Sequence, residues 1–308
     1  MTSQSLDDDE LIEKIHVLLG VLLREFDRVC RELSIDYSVY GGTAIGAVRD
    51  KGFIPWDDDV DIMLTRTNYE RFLREAPEHL GEEFGLDNTR TNPDFPFMFT
   101  KMVLRNTLLI PEFAKNSRYR MPFFIDILPV DEVPDDARKF SAMKRSSWLW
   151  GRLLFLQGTP RPYLIGISGI QRTAIYTATS LAHYGMKVIR LTPRVLQRQW
   201  DRAARRYEGS GFTRYADFTM RDPENWVVSD DEFFPTRDIP FTTPTGIINV
   251  KIHHEYDRLL RRGYGDYMTP PPVAQRRNHV PAIVDFGPWN DLVEQTVSHQ
   301  SQSEDHSE

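Results

Sequence analysis

The sequence predicts a mixed α/β fold, in the α+β sense, that carries a basic helical insertion. Short apolar runs alternate with helical patterns up to about residue 136, which favours a mixed sheet covered by helices. Residues 137–206 are helix-prone and basic, and short strand-like runs return after them. The 308 residues are 40% apolar and 27% charged, which is typical of a globular chain with a sizeable core.

The domain organisation follows from these changes in composition. The polar ends, residues 1–8 and 297–308, are predicted to be disordered. Residues 9–136 form the first part of the main domain, residues 137–210 form the insertion, and residues 211–296 complete the domain.

The first helix is predicted from apolar residues at three- and four-residue spacing. These residues are Leu11, Ile15, Leu18, Leu22, Phe26, Val29 and Leu33. A short strand at residues 36–40 then leads into a glycine pair and a short helix at residues 43–49, which we expect to end at Gly52.

The remaining elements are shorter. Further strands are predicted at residues 60–64, 97–104, 107–112, 123–128, 233–234 and 246–250. The capping-box spacing of Thr67 and Glu70 predicts that a helix begins at Thr67. Another helix is predicted at residues 254–262, followed by a loop rich in Gly, Tyr and Pro.

Two acidic residues share one face of a predicted strand. Asp59 and Asp61 alternate with Val60 and Ile62, so both carboxylates point the same way while the apolar side chains enter the core. A third acid, Asp126, interrupts an apolar strand, where an unpaired charge is costly. Close carboxylates favour a cation, and paired oxygen ligands suit Mg²⁺ or Mn²⁺ beside substrate phosphates. We therefore predict that Asp59, Asp61 and Asp126 are metal ligands and catalytic residues.

A glycine pair precedes these acids. Gly41-Gly42-Thr43 follows a strand and opens a helix, so its backbone N–H groups are free to bind phosphate oxygens at close approach. A glycine pair alone is most often a turn. The prediction of a phosphate site therefore depends on its place before the Asp-x-Asp strand and Asp126.

The longer sequence around these residues resembles the LicD family. The similarity runs through Gly41-Gly42-Thr43-Ala44-Ile45-Gly46-Ala47-Val48-Arg49 and Gly52-Phe53-Ile54-Pro55-Trp56-Asp57-Asp58-Asp59-Val60-Asp61-Ile62. Phe124-Ile125-Asp126-Ile127 resembles the third-carboxylate strand of that family. Tyr264-Gly265-Asp266-Tyr267-Met268, with Pro270, Pro271, Pro272 and His279, resembles its C-terminal motif.

This resemblance implies a fold and a reaction. LicD proteins are grouped with polymerase-beta-like nucleotidyltransferases, so residues 9–136 are expected to form a nucleotidyltransferase-like catalytic core. The family includes phosphocholine transferases that use CDP-choline, and it is related to fukutin and fukutin-related protein, which use CDP-ribitol. The resemblance implies transfer of a phospho-alcohol, with phosphocholine favoured, from a CDP-linked donor to a hydroxyl of a cell-surface glycan or lipid-linked precursor. Asp59 and Asp61 would share metal ions, and Asp126 would complete the site and help deprotonate the acceptor.

Other charged residues lie beside these motifs. Arg49 and Lys101 are predicted to bind substrate phosphates, since both types pair with phosphate oxygens. Asp57 and Asp58 are interpreted as solvated or capping loop acids, and a role in the site is left open.

Three aromatic residues are candidates for a choline site. Trp56, Tyr37 and Tyr40 lie close to the motif in sequence, and quaternary ammonium groups bind to aromatic faces. Core packing is the equal alternative for each of them.

The charge of the chain is distributed unevenly. Residues 137–206 contain fourteen Lys and Arg and one acid, Asp201, which leaves −20 on the rest of a chain whose total is −7. This asymmetry favours contact with an anionic surface, so one hypothesis is peripheral membrane contact, with Trp148, Trp150 and Phe155 entering the interface. The alternative is that these cations pair with the acidic body or remain solvated.

Composition also disfavours several classes of protein. The single cysteine, Cys30, excludes an internal disulfide framework and a cysteine-rich zinc cluster. The acidic stretch at residues 7–10 does not resemble a secretory signal, and no apolar run approaches the roughly 20 residues of a spanning helix. We therefore expect a cytoplasmic location, extended by peripheral contact with the inner face of the plasma membrane. The acidic body and the lack of a recognised motif disfavour nucleic-acid binding.

Two rival functions remain open on sequence alone. Another nucleotidyltransferase, such as one that adenylylates a small molecule from ATP, would use the same carboxylates, although Ile54-Pro55-Trp56 argues against it. A non-catalytic surface-binding protein of the same fold is disfavoured because an idle site gains nothing from buried negative charge. The identity of the phospho-alcohol, the acceptor and the oligomeric state are open.

Overall fold

A computed structural model describes residues 3–115, 117–164, 166–273, 276 and 280–305 of the chain. In these residues the helices are α1 (Ser3–Glu32), α2 (Gly41–Ile45), α3 (Arg66–Glu75), α4 (Ala137–Gly158), α5 (Gly169–Val188), α6 (Pro193–Ala204), α7 (Asp230–Phe233), α8 (Tyr256–Tyr264) and α9 (Asn290–Asp305). The strands are β1 (Ser38–Val39), β2 (Asp61–Thr65), β3 (Phe84–Asp87), β4 (Thr100–Leu104), β5 (Leu108–Ile110), β6 (Phe123–Glu132), β7 (Arg214–Ala216), β8 (Val228–Ser229), β9 (Arg237–Thr243), β10 (Gly246–Ile252) and β11 (Ile283–Asp285).

A mixed sheet forms the centre of the molecule. Its main order is β1-β2-β6-β4-β3, in which β2 and β6 are parallel and the other neighbours are antiparallel. The last residues of β6 pair with β7, which in turn pairs with β8. Two further antiparallel pairs, β9 with β10 and β5 with β11, lie outside this sheet. The mixed α/β class predicted from the sequence is confirmed.

Helix α1 covers the sheet and supplies much of the core. It contacts β4 and β6, and its fully buried side chains include Ile15, Leu18, Leu22, Phe26 and Val29. Each such side chain contributes about 1.5–3 kcal/mol of hydrophobic stabilisation. Helices also extend into both predicted disordered ends, since α1 begins at Ser3 and α9 continues to Asp305.

The short helix after β1 ends differently from the prediction. Helix α2 continues as a π-helical turn, Gly46–Asp50, which is closed by Lys51 in the left-handed conformation at φ 62°. Gly52 has another reason to be glycine, because a Cβ there would lie 2.5 Å from the carbonyl oxygen of Thr242. This close approach joins the loop before β2 to β9 through a bridge between Gly52 and Thr242.

The basic segment, residues 137–206, contains three helices, which agrees with its helix-prone sequence. Helix α4 ends at Gly158, before Pro160, and helices α5 and α6 follow. The buried residues that join α4 and α6 to the β6–β7 region are Val133, Met143, Trp200, Ala204, Ala216 and Phe218. A second apolar cluster, Leu154, Met186 and Leu196, joins the three helices to one another. No helix in the described part of the chain is long and apolar enough to cross a membrane.

Two local predictions are wrong, and the strands β3, β7, β8, β9 and β11 were not predicted. Helix α3 begins at Arg66, one residue before the predicted start at Thr67, and its N-cap residue is Thr65. The Arg66 side chain is held by Asp131. Residues 233–234 are not a strand, because the capping box of Ser229 and Glu232 starts the short helix α7 there. Strand β3 was not predicted, since its four residues contain Gly85 and lack clear alternation.

Candidate active site

Three of the predicted site residues lie side by side across the sheet. Asp61 opens β2 and is in register with Asp126 of β6, which is in register with Lys101 of β4. Residues opposite each other in neighbouring strands direct their side chains to the same face. The sheet therefore aligns two carboxylates and one ammonium group in a row.

Lys101 forms a buried ion pair with Asp126. Its Nζ lies 2.5 Å from Asp126 Oδ1 and 3.3 Å from the centre of the Phe124 ring, and the residue is 3% exposed. The rings of Phe97 and Phe99 are 5.0 and 5.3 Å from the same ammonium group. Burial lowers the pKa of Lys101, while burial raises the pKa of Asp126 to about 6 against the opposing effect of Lys101. In the structure Lys101 therefore pairs with the Asp126 carboxylate, whereas the sequence predicted that it binds substrate phosphate.

The loop before β2 adds further acids to this place. Burial, reinforced by Asp59 and Asp58, raises the pKa of Asp57 to about 8. Burial and then Asp59 raise the pKa of Asp58 to about 7 and that of Asp61 well above its usual range. We call Asp57, Asp58, Asp59, Asp61 and Asp126 the acid cluster. Its counter-charges among the described residues include Lys101, which opposes the raised pKa of Asp61, and Arg49, which opposes that of Asp57.

Of the interpretation of Asp57 and Asp58 as solvated or capping loop acids, the solvated part is wrong, while the hydrogen bond that the Asp57 carboxylate accepts from the backbone of Asp58 agrees with capping. Asp58 is 7% exposed, and Asp57 is half-buried and faces the other acids. His16 helps to fix this loop, because its Nε2 donates to the carbonyl oxygen of Asp57 at 2.7 Å while its ring stacks on Phe53. Burial lowers the pKa of His16 to about 4, so the ring is neutral near pH 7. No sequence pattern pointed to His16, since it lies on an apolar helix face.

The glycine pair leaves room for carboxylates. A Cβ on Gly41 would lie 3.1 Å from Asp61 Oδ2, and one on Gly42 would lie 2.6 Å from Asp57 Oδ2. Gly41 also has φ +57°, a conformation that favours glycine. Thr43 Oγ1 accepts a hydrogen bond from the backbone N–H of Asp61 at 2.9 Å. The Gly-Gly-Thr motif therefore packs directly against the acid cluster.

Arg49 lies beside the cluster with its side chain already held. Its guanidinium contacts Asp50 at 2.8 Å, donates to the backbone carbonyl of Tyr267 at 3.1 Å, and lies 5.9 Å from the Trp56 ring. The Arg276 guanidinium is 4.3 Å from the centre of the same ring. Two cations of the protein itself therefore already lie near the Trp56 ring.

Tyr37 and Tyr40 do not form a choline site. Tyr37 is fully buried and donates to Asp27 at 2.8 Å, and Tyr40 is 1% exposed. Core packing, the alternative given above, is the correct interpretation for both tyrosines.

Tyr264 is a site residue whose position the sequence did not give. Its hydroxyl lies 3.6 Å from the place where a Gly41 Cβ would be, next to Asp61 Oδ2, and burial with the charges of Asp61 and Asp57 raises its pKa. Its ring packs at 4.9 Å against Trp226, and the residue remains 47% exposed. The signal was present, because Tyr264 opens the C-terminal motif. His279, from the same motif, lies outside the described residues.

The acid cluster fits a divalent cation by its chemistry. Carboxylate oxygens are hard ligands, and the raised pKa values of the cluster reflect burial first and then repulsion between the acids, which a cation would relieve. Among the residues that the structure describes, no group of three or more His, Cys, Asp or Glu side chains is arranged so that it could hold a metal ion. One reason is visible at Asp126, whose Oδ1 is bound by Lys101.

Comparison with known proteins identifies the region that contains this cluster. Residues 34–152 match the family described as LicD/FKTN/FKRP, nucleotidyltransferase domain. Over 121 residues the chain is 34% identical to "Lipopolysaccharide cholinephosphotransferase LicD" of Haemophilus influenzae, a match that covers 38% of this chain and 43% of that protein. The chain thus spans less than half the length of this relative. The resemblance to the LicD family predicted from the sequence is therefore confirmed for residues 34–152, which match the model of that family.

Proposed function

We propose that the chain transfers phosphocholine from CDP-choline to a hydroxyl of a cell-surface glycan or its lipid-linked precursor, with CMP leaving. The observation that carries this proposal is the row of Asp61, Asp126 and Lys101 within a LicD domain. The Haemophilus relative is named a lipopolysaccharide cholinephosphotransferase, which supports phosphocholine as the group and a glycan as the acceptor. The proposal includes a nucleotidyltransferase-type core for the sheet that carries this row.

Asp59 and Asp61 are the proposed ligands of Mg²⁺ or Mn²⁺. Asp59 raises the pKa of Asp57, Asp58, Asp61 and Asp126, so its charge lies within reach of the whole acid cluster. A bound divalent ion would polarise the phosphoryl oxygens and neutralise charge on the departing CMP. Without such a counter-charge, the cluster is costly to ionise at neutral pH.

Asp126 is the proposed acceptor of the proton from the attacking hydroxyl. Lys101 binds Oδ1, and we propose that Oδ2 receives the proton. Lys101 then acts as a positioning residue, since its ammonium group fixes the carboxylate and is itself held by three phenylalanine rings. This positioning role replaces the predicted contact of Lys101 with a substrate phosphate. The backbone of Gly41 and Gly42 and the Arg49 guanidinium remain the proposed phosphate ligands, with Thr43 holding the start of β2.

An aromatic wall beside the acids supports a quaternary ammonium as the head group of the donor. Tyr264 and Trp226 pack edge to face at 4.9 Å, and Trp226 packs in the same way on Tyr40 at 5.4 Å. Tyr264 is nearly half exposed and its hydroxyl lies beside Asp61, so one aromatic surface and several carboxylates meet there. Cations bind to such surfaces through ring faces and nearby negative charge. Choline suits this wall better than ribitol or glycerol, which carry no charge.

The test is release of CMP from CDP-choline, CDP-ribitol and CDP-glycerol, with Mg²⁺ or with EDTA and with glycan acceptor added. We expect metal-dependent release from CDP-choline that Asp61→Asn abolishes. The matched control is Asp135→Asn, which makes the same change in the loop that follows β6, in a side chain that is 76% exposed.

Three outcomes are informative. Release from another CDP-alcohol would keep the reaction class and correct the head group. ATP consumption in place of CMP release would favour the adenylylating alternative. Absence of turnover with all donors, in protein that is folded, would favour the surface-binding alternative.

A further inference from the structure

Helix α5 presents an apolar face to solvent. Residues 170, 174, 177, 181, 184 and 188 recur at alternating spacings of four and three, so they lie along one side of the helix. We call Ile170, Ala174, Thr177, Leu181, Tyr184 and Val188 the exposed α5 face. Ile170 is 90%, Val188 82% and Leu181 71% exposed, while His183 and Met186 on the opposite side are buried.

The exposed α5 face carries no charge, and the hydroxyl of its threonine, Thr177, is bonded back to the helix, as is that of the neighbouring Thr173. Thr177 Oγ1 donates to the carbonyl of Thr173 at 2.9 Å, and Thr173 Oγ1 donates to the carbonyl of Gly169 at 3.3 Å. With these hydroxyls bonded to the backbone, the threonines present mainly their methyl groups. Such a continuous apolar strip is unusual on a free surface.

The surroundings of this face are cationic. From residue 137 to residue 200 there is no Asp or Glu, and of the fourteen Lys and Arg in residues 137–206 only Lys144 and Arg205 form ion pairs within the described part of the chain. Arg172 and Arg190, near the two ends of α5, are exposed. Pairing with the acidic body therefore accounts for few of these cations.

We propose that α5 lies in the surface of an anionic lipid bilayer, with the exposed α5 face among the acyl chains and the flanking cations among the headgroups. This inference does not depend on the proposed reaction. An apolar strip bordered by Arg and Lys matches the layers of such a surface. A second copy of the chain would bring the same excess of positive charge to the contact, and an acidic peptide would leave the apolar strip in water.

The residues that enter the membrane differ from those expected from the sequence. Trp150 packs against the cluster around Trp200, and Phe155 lines a narrow cavity with Pro96 and Phe113. Of the three aromatic residues named above, only Trp148 is exposed, at 40%, and it belongs to α4. The exposed α5 face replaces them as the inserting surface.

The test is flotation of the full chain with vesicles of phosphatidylcholine alone or mixed with phosphatidylglycerol. Any contact with choline headgroups is common to both vesicles, so the difference reports the anionic surface. We expect binding to the mixed vesicles, weakened about tenfold or more by Leu181→Glu, since this change puts a charge where a leucine would be buried. Ile247→Glu is the matched control, because Ile247 is 66% exposed and lies on β10, outside the basic segment.

A second pair of variants tests the charge. Arg172→Gln with Arg190→Asn is expected to reduce binding to the mixed vesicles about tenfold and to weaken its dependence on salt. Asn is chosen at position 190 because the native φ is 56°, a conformation that Asn tolerates.

The proposal is overturned by equal binding to both vesicles, or by wild-type binding of Leu181→Glu. Self-association in solution that Leu181→Glu abolishes, without vesicle binding, would also overturn it and would assign the face to contact between two copies. Light scattering on the same samples makes that distinction. Leu181→Glu and Ile247→Glu are both expected to have the same melting temperature as the wild type, because both positions are exposed.

Discussion

Strand β6 carries two acids that each meet a buried cation, and the two pairs differ. Asp131 accepts two hydrogen bonds from Arg66, at 2.7 and 2.8 Å, in a bidentate pair whose members are 1% and 5% exposed. Asp126 accepts a single short hydrogen bond from Lys101 at 2.5 Å. The two acids are five residues apart on the same strand, so the difference lies in what surrounds them.

Arg66 is enclosed by packing. Its guanidinium lies 5.2 Å from the Tyr69 ring and 5.6 Å from the Trp200 ring, so it joins β6 and α3 to helix α6 of the basic segment. A bidentate pair with aromatic contacts on both sides satisfies its donors and has little to offer a ligand. We interpret this pair as a structural joint.

Lys101, in contrast, neutralises one acid of a cluster that holds several. The pKa values of Asp57, Asp58, Asp61 and Asp126 are raised in each case first by burial. A surplus of buried negative charge lowers stability unless a ligand uses it. The comparison teaches that a buried ion pair whose charges balance stabilises the fold. A buried cluster with more carboxylates than cations instead indicates a functional site.

The largest expected effect is the loss of transfer in Asp126→Asn. The asparagine oxygen can still accept from Lys101, but the side chain can no longer take the acceptor proton. CMP release should therefore fall about 10²–10⁴-fold while the far-UV circular dichroism is retained. Steady-state rates at saturating CDP-choline measure this.

Asp87→Asn is the control for that loss. Asp87 of β3 is also in register with Lys101, on the side away from Asp126, and it accepts from Tyr119 at 2.8 Å. We expect its transfer rate to stay within a fewfold of the wild type. Full activity in Asp126→Asn would refute the role assigned to Asp126.

Asp131→Asn, in contrast to Asp126→Asn, should lower stability and leave the transfer rate unchanged. It leaves Arg66 without its bidentate partner in a buried position, and the expected loss is about 3–5 kcal/mol in the free energy of unfolding. Urea titration measures this, and transfer per folded molecule should be retained. Asp238→Asn removes the exposed partner of Arg31 and should cost less than about 1 kcal/mol. A similarly small loss in Asp131→Asn would remove the distinction between the two pairs.

Much of the site could be predicted because its signals are local. The alternation around Asp59 and Asp61 predicted that the two acids lie close together, and Asp59 does raise the pKa of Asp61 although it precedes β2. An acid in the apolar strand at Asp126 stood out from its neighbours. Both strands and the first helix were predicted close to their observed positions. These features depend on a few consecutive residues.

The contacts that these acids make with one another and with Lys101 could not be predicted, because they depend on pairing between distant strands. The register that sets Asp61 opposite Asp126, and Lys101 on its other side, is decided by the whole sheet. The burial of Asp58 and the approach of Tyr264 to Gly41 also depend on contacts between distant residues, since Asp58 lies in the loop before β2 and Tyr264 ends helix α8. Local polarity suggested solvent for Asp58, and tertiary contacts decided otherwise.

Asp217 is a further buried acid whose pKa is affected by Asp131 and Arg66, so its titration tests whether the charges around Arg66 are balanced. It is fully buried, Thr219 donates to its Oδ1, and its Oδ2 has no hydrogen-bond partner within the described residues. Burial raises its pKa from 3.8 to about 6, so between these values the folded protein binds more protons than the unfolded chain. Its contribution to stability is therefore present below pH 3.8 and is lost as the pH rises through about 6.

Asp217→Asn should remove this pH dependence. Relative to the wild type, the free energy of unfolding of the variant is expected to rise by up to about 3 kcal/mol between pH 4 and pH 7. Urea titrations at both pH values measure the change. A difference between variant and wild type that stays constant with pH would show that Asp217 titrates normally.

The smallest expected effect is a change in the KM for CDP-choline when the aromatic ring of Tyr264 is removed. Tyr264→Leu removes the exposed ring beside Asp61, while Tyr264→Phe keeps the ring and removes only the hydroxyl. Since a cation on an aromatic face gains about 0.5–2 kcal/mol, Tyr264→Leu should raise the KM for CDP-choline about 2–30-fold, with little change for CDP-glycerol. Tyr264→Phe should resemble the wild type in this ratio. An equal rise of KM for both donors in Tyr264→Leu would mean that the ring only supports the loop, and the surplus charge would then select the metal ion and not the choline.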